Sequence, residues 1–221
     1  MSIIAVTGLA KEARIARRAG LIPVISACDG ALLAERLKAV ASEATAVISF
    51  GIAGSLSPLL KPGDVVIGSH VVAENEHYFC DAAWTKAMQA RLPKARLAIV
   101  AGADQVISQI SMKKALRGQT GAHLVDMESH IAARFAAAHG LPFAVLRTIS
   151  DGNEHTLPPA ALVPLKANGK PHMMAVLKSL AGDLEQLPEL IQIARESGRA
   201  FASLARSRRI LGLGLRCPYL G

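Results

Sequence analysis

Apolar positions fall along this chain in short clusters separated by longer amphipathic stretches. Ser2 to Thr7 (SIIAVT) is an apolar, β-branched run ending at Gly8, the pattern of a strand buried on both faces. Lys11 to Ala19 reads as a helix, stopped by Gly20. The alternation then repeats. Strands are predicted over 21–26, 45–50, 65–72, 96–101, 122–125 and 143–149, and helices over 31–40, 82–91, 112–117 and 129–139. The turn Lys61-Pro62-Gly63-Asp64 sets up the fourth strand. From Pro158 the chain reads as helices alone, over 158–168, 171–181 and 184–206. Strands alternating with helices imply an α/β fold with a largely parallel sheet covered on both faces. There is no internal repeat and no linker. Residues 1–206 read as one domain, and 207–221 (SRRILGLGLRCPYLG) as a basic C-terminal tail.

Composition narrows the class. The chain has 221 residues, 51% hydrophobic and 19% charged, which excludes a disordered chain. Uncharged runs such as Thr45–Leu60 contain Ser, Gly and Pro and fall short of the about 20 apolar residues that a membrane span needs. The start, MSIIAVTGLAKEAR, lacks the basic n-region of a secretory signal. Three cysteines, far apart and without C-x-x-C, argue against a disulfide framework and for a cytoplasmic protein. Net charge is +8, and the segment from Arg195 onward holds six arginines against the single acid Glu196. Such a segment suits an anionic partner, or it is simply a solubilising end. Aromatics are 4%, and no basic patch is interleaved with them, so nucleic acid is not expected as a partner.

In open α/β sheets, ligands sit beyond the carboxyl ends of the strands. The loops to search are therefore 8–12, 51–55, 102–104, 126–129 and 150–151. Three of them carry acids: Asp104, Asp126 with Glu128, and Asp151. Each has an ordinary structural reading. Asp151 could cap a turn, Asp126 could cap the helix that follows it, Glu128 could be a first-turn acid, and Asp104 could be solvated. The P-loop, the Rossmann glycine fingerprint, H-E-x-x-H and G-x-S-x-G are all absent, and no metal site is expected.

Taken together, the segments FGIAGSLSPLLKPGDVVIG and VDMESHIAARFAAAHGLPFAVLRTISD resemble the nucleoside phosphorylase and nucleosidase superfamily. That group includes purine nucleoside phosphorylases and methylthioadenosine/adenosylhomocysteine nucleosidases. The matching motifs are Gly51-Ile-Ala-Gly54 before Lys61-Pro-Gly-Asp64, then Val125-Asp126-Met127-Glu128, then Arg147-Thr-Ile-Ser150-Asp151, over roughly residues 2–180. The resemblance implies one catalytic domain with three α/β/α layers and a central mixed, mostly parallel sheet. It implies cleavage of the N-glycosidic bond of an adenosyl compound. Asp151 would protonate the leaving purine, Met127 and Glu128 would hold the ribose, and Val106, Ile107, Ser150 and Asp151 would line the base site. The opening VTGLAKEARIARRAG is closest to the hopanoid-associated branch, which implies release of adenine from adenosylhopane in hopanoid synthesis.

Two departures bear on the nucleophile. The ungapped match puts Ala13 where the nucleosidases carry their water-activating glutamate, with Glu12 one residue earlier. That favours inorganic phosphate as co-substrate, held by Gly8, Gly51, Ile52, Ala53 and Arg14 or Arg17. The phosphorylases' arginine before the glycine loop falls at Ser49, however, and their hydroxyl residue falls at Ile52. A shift of one residue restores Glu12 as the base of a hydrolytic nucleosidase. A non-catalytic nucleoside-binding protein is the alternative of another class. No organic cofactor is expected. The resemblance also implies a homo-oligomer, and the basic tail suggests peripheral contact with anionic membrane.

Overall fold

The computed structural model describes residues 2–219. Its strands are β1 (Ser2–Thr7), β2 (Ile22–Ile25), β3 (Ala44–Ser55), β4 (Val65–Ala73), β5 (Glu76–Phe79), β6 (Arg96–Gly102), β7 (Leu124–Asp126) and β8 (Phe143–Asp151). The α-helices are α1 (Ala10–Arg17), α2 (Gly30–Ala39), α3 (Ala82–Arg91), α4 (Ile110–Thr120), α5 (Ser129–Ala138), α6 (Met173–Gly182) and α7 (Leu187–Leu211).

The strands form one mixed sheet in the order β2-β1-β3-β7-β6-β4-β5, with β8 joining β3 to β4. β4 runs antiparallel to β5 and β8, and β3 antiparallel to β7; the other pairings are parallel. Period-two alternation sorts the core onto both faces. Ile4 and Val6 pack with Leu33 and Leu37 of α2 and Ala132 and Ala136 of α5. Ile3 and Ala5 pack with Trp84 and Met88 of α3 and Leu204 and Leu211 of α7. This is the expected α/β fold with helices on both faces of a mixed sheet. One feature goes beyond the hydrophobic pattern. β3 holds both β7 and β8 while β4 holds β6 and β8, so β3, β8, β4, β6 and β7 close into a ring.

Four segments differ from their sequence reading. The small-residue stretch Gly51–Ser55 is not a loop but the second half of β3. Its first residues pair with β8 through Gly51↔Arg147 and Ile52↔Thr148, and Gly54 and Ser55 turn to β7. Glu76–Phe79 is a strand, paired on β4 across a two-residue turn at Glu74 and Asn75, with Glu74 at φ 52. The helix expected over 158–168 is a single 3-10 turn, Pro159–Ala161. Pro164 cannot donate to a helical ladder, and Gly169 at φ +73 turns the chain back so that its carbonyl accepts from Ala10 N at 3.0 Å.

The boundary drawn between 206 and 207 falls inside α7. Ser207–Leu211 are the last turns of that helix, and Gly212 breaks it at φ 79. Leu211, Leu215 and Cys217 are buried in the cluster that holds Trp84. Trp84 Nε1 donates to Leu215 O at 2.9 Å, and Gly214 N donates to Ala19 O at 2.8 Å. The 207–219 stretch therefore closes one face of the core. No helix among the described residues is long and apolar enough to cross a membrane.

Candidate active site

The C-terminal ends of β1, β3, β7 and β8 meet at one cavity of about 200 Å³. Its walls include Gly8, Leu9 and Glu12 from the β1–α1 turn, Ile52, Ala53 and Gly54 from β3, and Asp126, Met127 and Glu128 from the β7–α5 turn. Ser150 and Asp151 end β8 at the same place, and Cys28, Gln105, Val106, Ile107, Val125 and Leu157 also line the cavity. Every residue expected for ribose or base is thus brought together.

Glu12 is the best-defined group. It stands in the first turn of α1, 1% exposed. Its Oε2 accepts from Gly8 N and Leu9 N, each at 2.8 Å, and its Oε1 from Ile52 N at 2.8 Å. All three partners are donors, so this geometry belongs to the carboxylate. Burial pushes its pKa up to about 7, with the neighbouring Glu128 adding to the rise and Arg147 opposing it. An acid poised near neutrality is suited to accept a proton from water. The approach is possible because Gly51 lacks a side chain. A Cβ there would overlap Glu12 Oε1 and lie 2.7 Å from Arg147 Nη1.

Arg147 ties the acids together from behind. It is fully buried on β8. Its Nη2 donates to Ser49 Oγ at 2.6 Å and to Glu128 Oε2 at 3.2 Å, and its Nη1 donates to Ile52 O at 3.2 Å. Nε lies 3.0 Å from Asp126 Oδ2, an ion-pair contact without the alignment of a hydrogen bond. Burial opposes its charge, but Asp126, Glu128 and Glu12 outweigh that and hold its pKa above the ordinary value. Ser49 Oγ is also 2.8 Å from Ser129 Oγ, which reaches Asp126 Oδ2 at 2.5 Å. Asp126 caps α5 as well, through Glu128 N at 2.9 Å and Ser129 N at 2.7 Å. It is therefore a structural acid, as its capping position suggests.

Glu128 is fixed by Arg147 and by Ser26 Oγ, which donates to its Oε1 at 2.8 Å. Burial raises its pKa, Asp126 adds to the rise, and Arg147 opposes it. Asp151 accepts from Ser150 Oγ on Oδ1 at 2.7 Å and from the buried Lys113 Nζ on Oδ2 at 2.6 Å.

The phosphate ligands expected from sequence need correction. Arg14 and Arg17 are exposed on the outer face of α1, away from the cavity wall. The amides of Gly8 and Ile52, which a phosphate would need, are already donated to Glu12. Gly51 is a spacer beneath Glu12, while Ile52 and Ala53 do line the cavity. Among the described residues lining it there is no lysine or arginine; four carboxylates face it instead, Glu12, Asp126, Glu128 and Asp151.

Sequence reasoning gave no role to Arg147, Ser26 or Lys113. Arg147 had a signal, since it opens the R-x-I-S-D motif within an apolar strand. Lys113 had none, because a lysine in Met-Lys-Lys on a short helix reads as surface.

The site is thus a carboxylate-lined cavity at the strand ends of a mixed sheet, with one acid poised near neutrality. The sequence matches the phosphorylase superfamily over residues 23–169, and the chain belongs to that family. No curated protein matches the sequence significantly. Among solved structures, the fold is similar to methylthioadenosine/S-adenosylhomocysteine nucleosidase from Neisseria meningitidis, with TM-score 0.67 and 15% identity over 95% of this chain and 98% of that one. It is similar to the Streptococcus pneumoniae nucleosidase bound to a transition-state inhibitor, with TM-score 0.65 and 16% identity over 96% and 100%. It is also similar to futalosine hydrolase from Helicobacter pylori, with TM-score 0.60 and 17% identity over 68% and 88%.

Proposed function

We propose that the protein is a hydrolytic nucleosidase that releases adenine from an adenine nucleoside, with water as nucleophile. The observation that carries this reading is Glu12, a buried carboxylate held by three backbone N–H groups, poised near neutrality and facing the cavity. The purine lies against Val106, Ile107 and Leu157 with its N7 edge towards Asp151, and the ribose lies over Met127 with its hydroxyls on Glu128. Glu12 takes a proton from water as the oxygen attacks C1′. Positive charge building on the sugar is stabilised by Glu128, and the departing adenine is protonated at N7 by way of Asp151. The neighbours in fold, described as nucleosidases and a hydrolase, favour water over phosphate as well. A phosphate dianion would meet four carboxylates and amides already engaged, which disfavours the phosphorolytic alternative.

The narrower expectation of a hopane-bearing substrate draws on one observation. Met127 lines both the site and a larger apolar cavity of about 600 Å³ between α2 and α5. A bulky apolar 5′ group would leave the ribose by that route. Peripheral contact with anionic membrane draws on the exposed Arg195, Arg199, Arg206 and Arg209, which recur on one stripe of α7.

The test is incubation with adenosine and 5′-methylthioadenosine, with and without phosphate, and analysis of both products. Free adenine with the free sugar, at a rate indifferent to phosphate, is expected. A sugar 1-phosphate formed only with phosphate would overturn the hydrolytic reading, and no adenine from any nucleoside would leave the protein a binder.

A further inference from the structure

The site holds a second buried cation that the mechanism above does not use. Lys113 is 1% exposed, on the first turn of α4. Its three ammonium protons have three acceptors: Asp151 Oδ2 at 2.6 Å, Gly152 O at 2.8 Å and His155 O at 3.0 Å. A lysine buried to this degree is not a solvated surface group, and its complete set of partners is that of the ammonium form. Both Asp151 oxygens accept, Oδ2 from this ammonium and Oδ1 from Ser150 Oγ, which is the hydrogen-bonding pattern of a carboxylate. Ionised Asp151 has no proton to give, yet leaving-group protonation needs one at this position. A proton stands within hydrogen-bond reach of that carboxylate on Lys113 Nζ, 2.6 Å from Oδ2.

We infer that Lys113 is the positioning residue that supplies the proton Asp151 delivers to the leaving base; this rests on the nucleosidase reading above. As the C1′–N9 bond breaks, its electron pair passes into the purine and N7 becomes basic. One proton moves from Nζ to Asp151 and one from Asp151 to N7, leaving a neutral amine, a carboxylate and neutral adenine. On the other side, Glu12 takes one proton from the attacking water. The enzyme resets when the proton on Glu12 is lost to solvent and Nζ regains one, so the sum is nucleoside plus water giving adenine plus sugar. The charged groups that bear on the pair are Glu12, Asp126 and Glu128 around the cavity, and Arg147 four residues back on β8. Beyond them, His155 contacts Glu196 of α7 at 3.2 Å.

The experiment compares wild type with Lys113→Met and Lys113→Arg on two substrates, adenosine and 4-nitrophenyl β-D-ribofuranoside, whose leaving group departs without a proton. For Lys113→Met at pH 8, kcat on adenosine is expected to fall about 10²-fold or more, and on the nitrophenyl riboside by less than about 10-fold. Lys113→Arg retains part of the adenosine activity. Equal losses on both substrates, or no loss on adenosine, would overturn the inference. Thermal unfolding separates it from failure of the nucleosidase reading. Lys113→Met leaves buried Asp151 without its counter-ion, so its Tm falls well below that of Lys113→Arg, whatever the substrate. Equal Tm values for the two variants would mean that Lys113 is not the counter-ion of Asp151.

Discussion

Replacing Glu12 by Gln tests the nucleophile directly. The amide keeps the size of the side chain but changes one oxygen into a donor. Every polar neighbour of Glu12 in the structure is a backbone N–H, from Gly8, Leu9 and Ile52. Whichever way the amide turns, its NH₂ faces at least one N–H, so one charge-assisted hydrogen bond worth about 1.5–3 kcal/mol is lost. Glutamine also cannot take a proton from water. A general base is worth about 10²–10⁴ in rate, so kcat for adenine release should fall at least about 10²-fold, a barrier increase of about 2.7 kcal/mol. The pH profile gives a second reading. With Glu12 near 7, the base is present above that pH and lost below it. Wild-type activity should fall about tenfold per unit below pH 7, and this acid limb should be absent from Glu12→Gln. Stability runs the other way. A carboxyl whose folded pKa is raised from 4.5 to about 7 favours folding most below 4.5, and that contribution, of order 3 kcal/mol, declines as pH rises through 7. The assays are adenine release across pH 5–9 and urea unfolding at the same pH values. Wild-type turnover in Glu12→Gln would refute water activation by this residue.

Other substitutions probe its surroundings. Asp151→Asn should cut kcat on adenosine by about 10²-fold but spare a nitrophenyl riboside, measured as free adenine against nitrophenolate. Arg147→Met leaves Asp126 and Glu128 buried without their counter-ion and should cost about 3–5 kcal/mol in urea unfolding, a deficit that narrows at acid pH as Glu128, whose pKa burial raises, neutralises. Gly51→Ala would push Glu12 off its amides, so activity should fall about as far as in Glu12→Gln; full activity would show that the close approach is not needed. Deleting 212–221 removes the buried Leu215 and the acceptor of Trp84 Nε1, and should cost about 3 kcal/mol or more in chemical unfolding rather than leave the core intact.

The layered α/β architecture was legible in the order of residues alone. Short apolar runs such as Ser2–Thr7 and Phe143–Ile149 have the pattern of strands buried on both faces, and helical spacing between them supplies the cover. That order also determined where chemistry would gather, because ligand sites lie beyond strand ends and Glu128 and Asp151 stand at two of them. Contacts between distant segments set what no local pattern carries. Gly51–Ser55 has the composition of a loop, yet it is a strand because β7 and β8 both need it as a partner, and its small side chains leave room for Glu12, Arg147 and Asp151. The register between α1 and the glycine stretch settled that Glu12, not Ala13, faces the cavity, a distinction of one residue that an ungapped comparison misplaces. The burial of Lys113 and of Leu215 depends on contacts across 38 and 131 positions of chain, from Lys113 to Asp151 and from Trp84 to Leu215. A lysine or a C-terminal leucine carries no local mark of being buried; only the elements folded over it remove it from water.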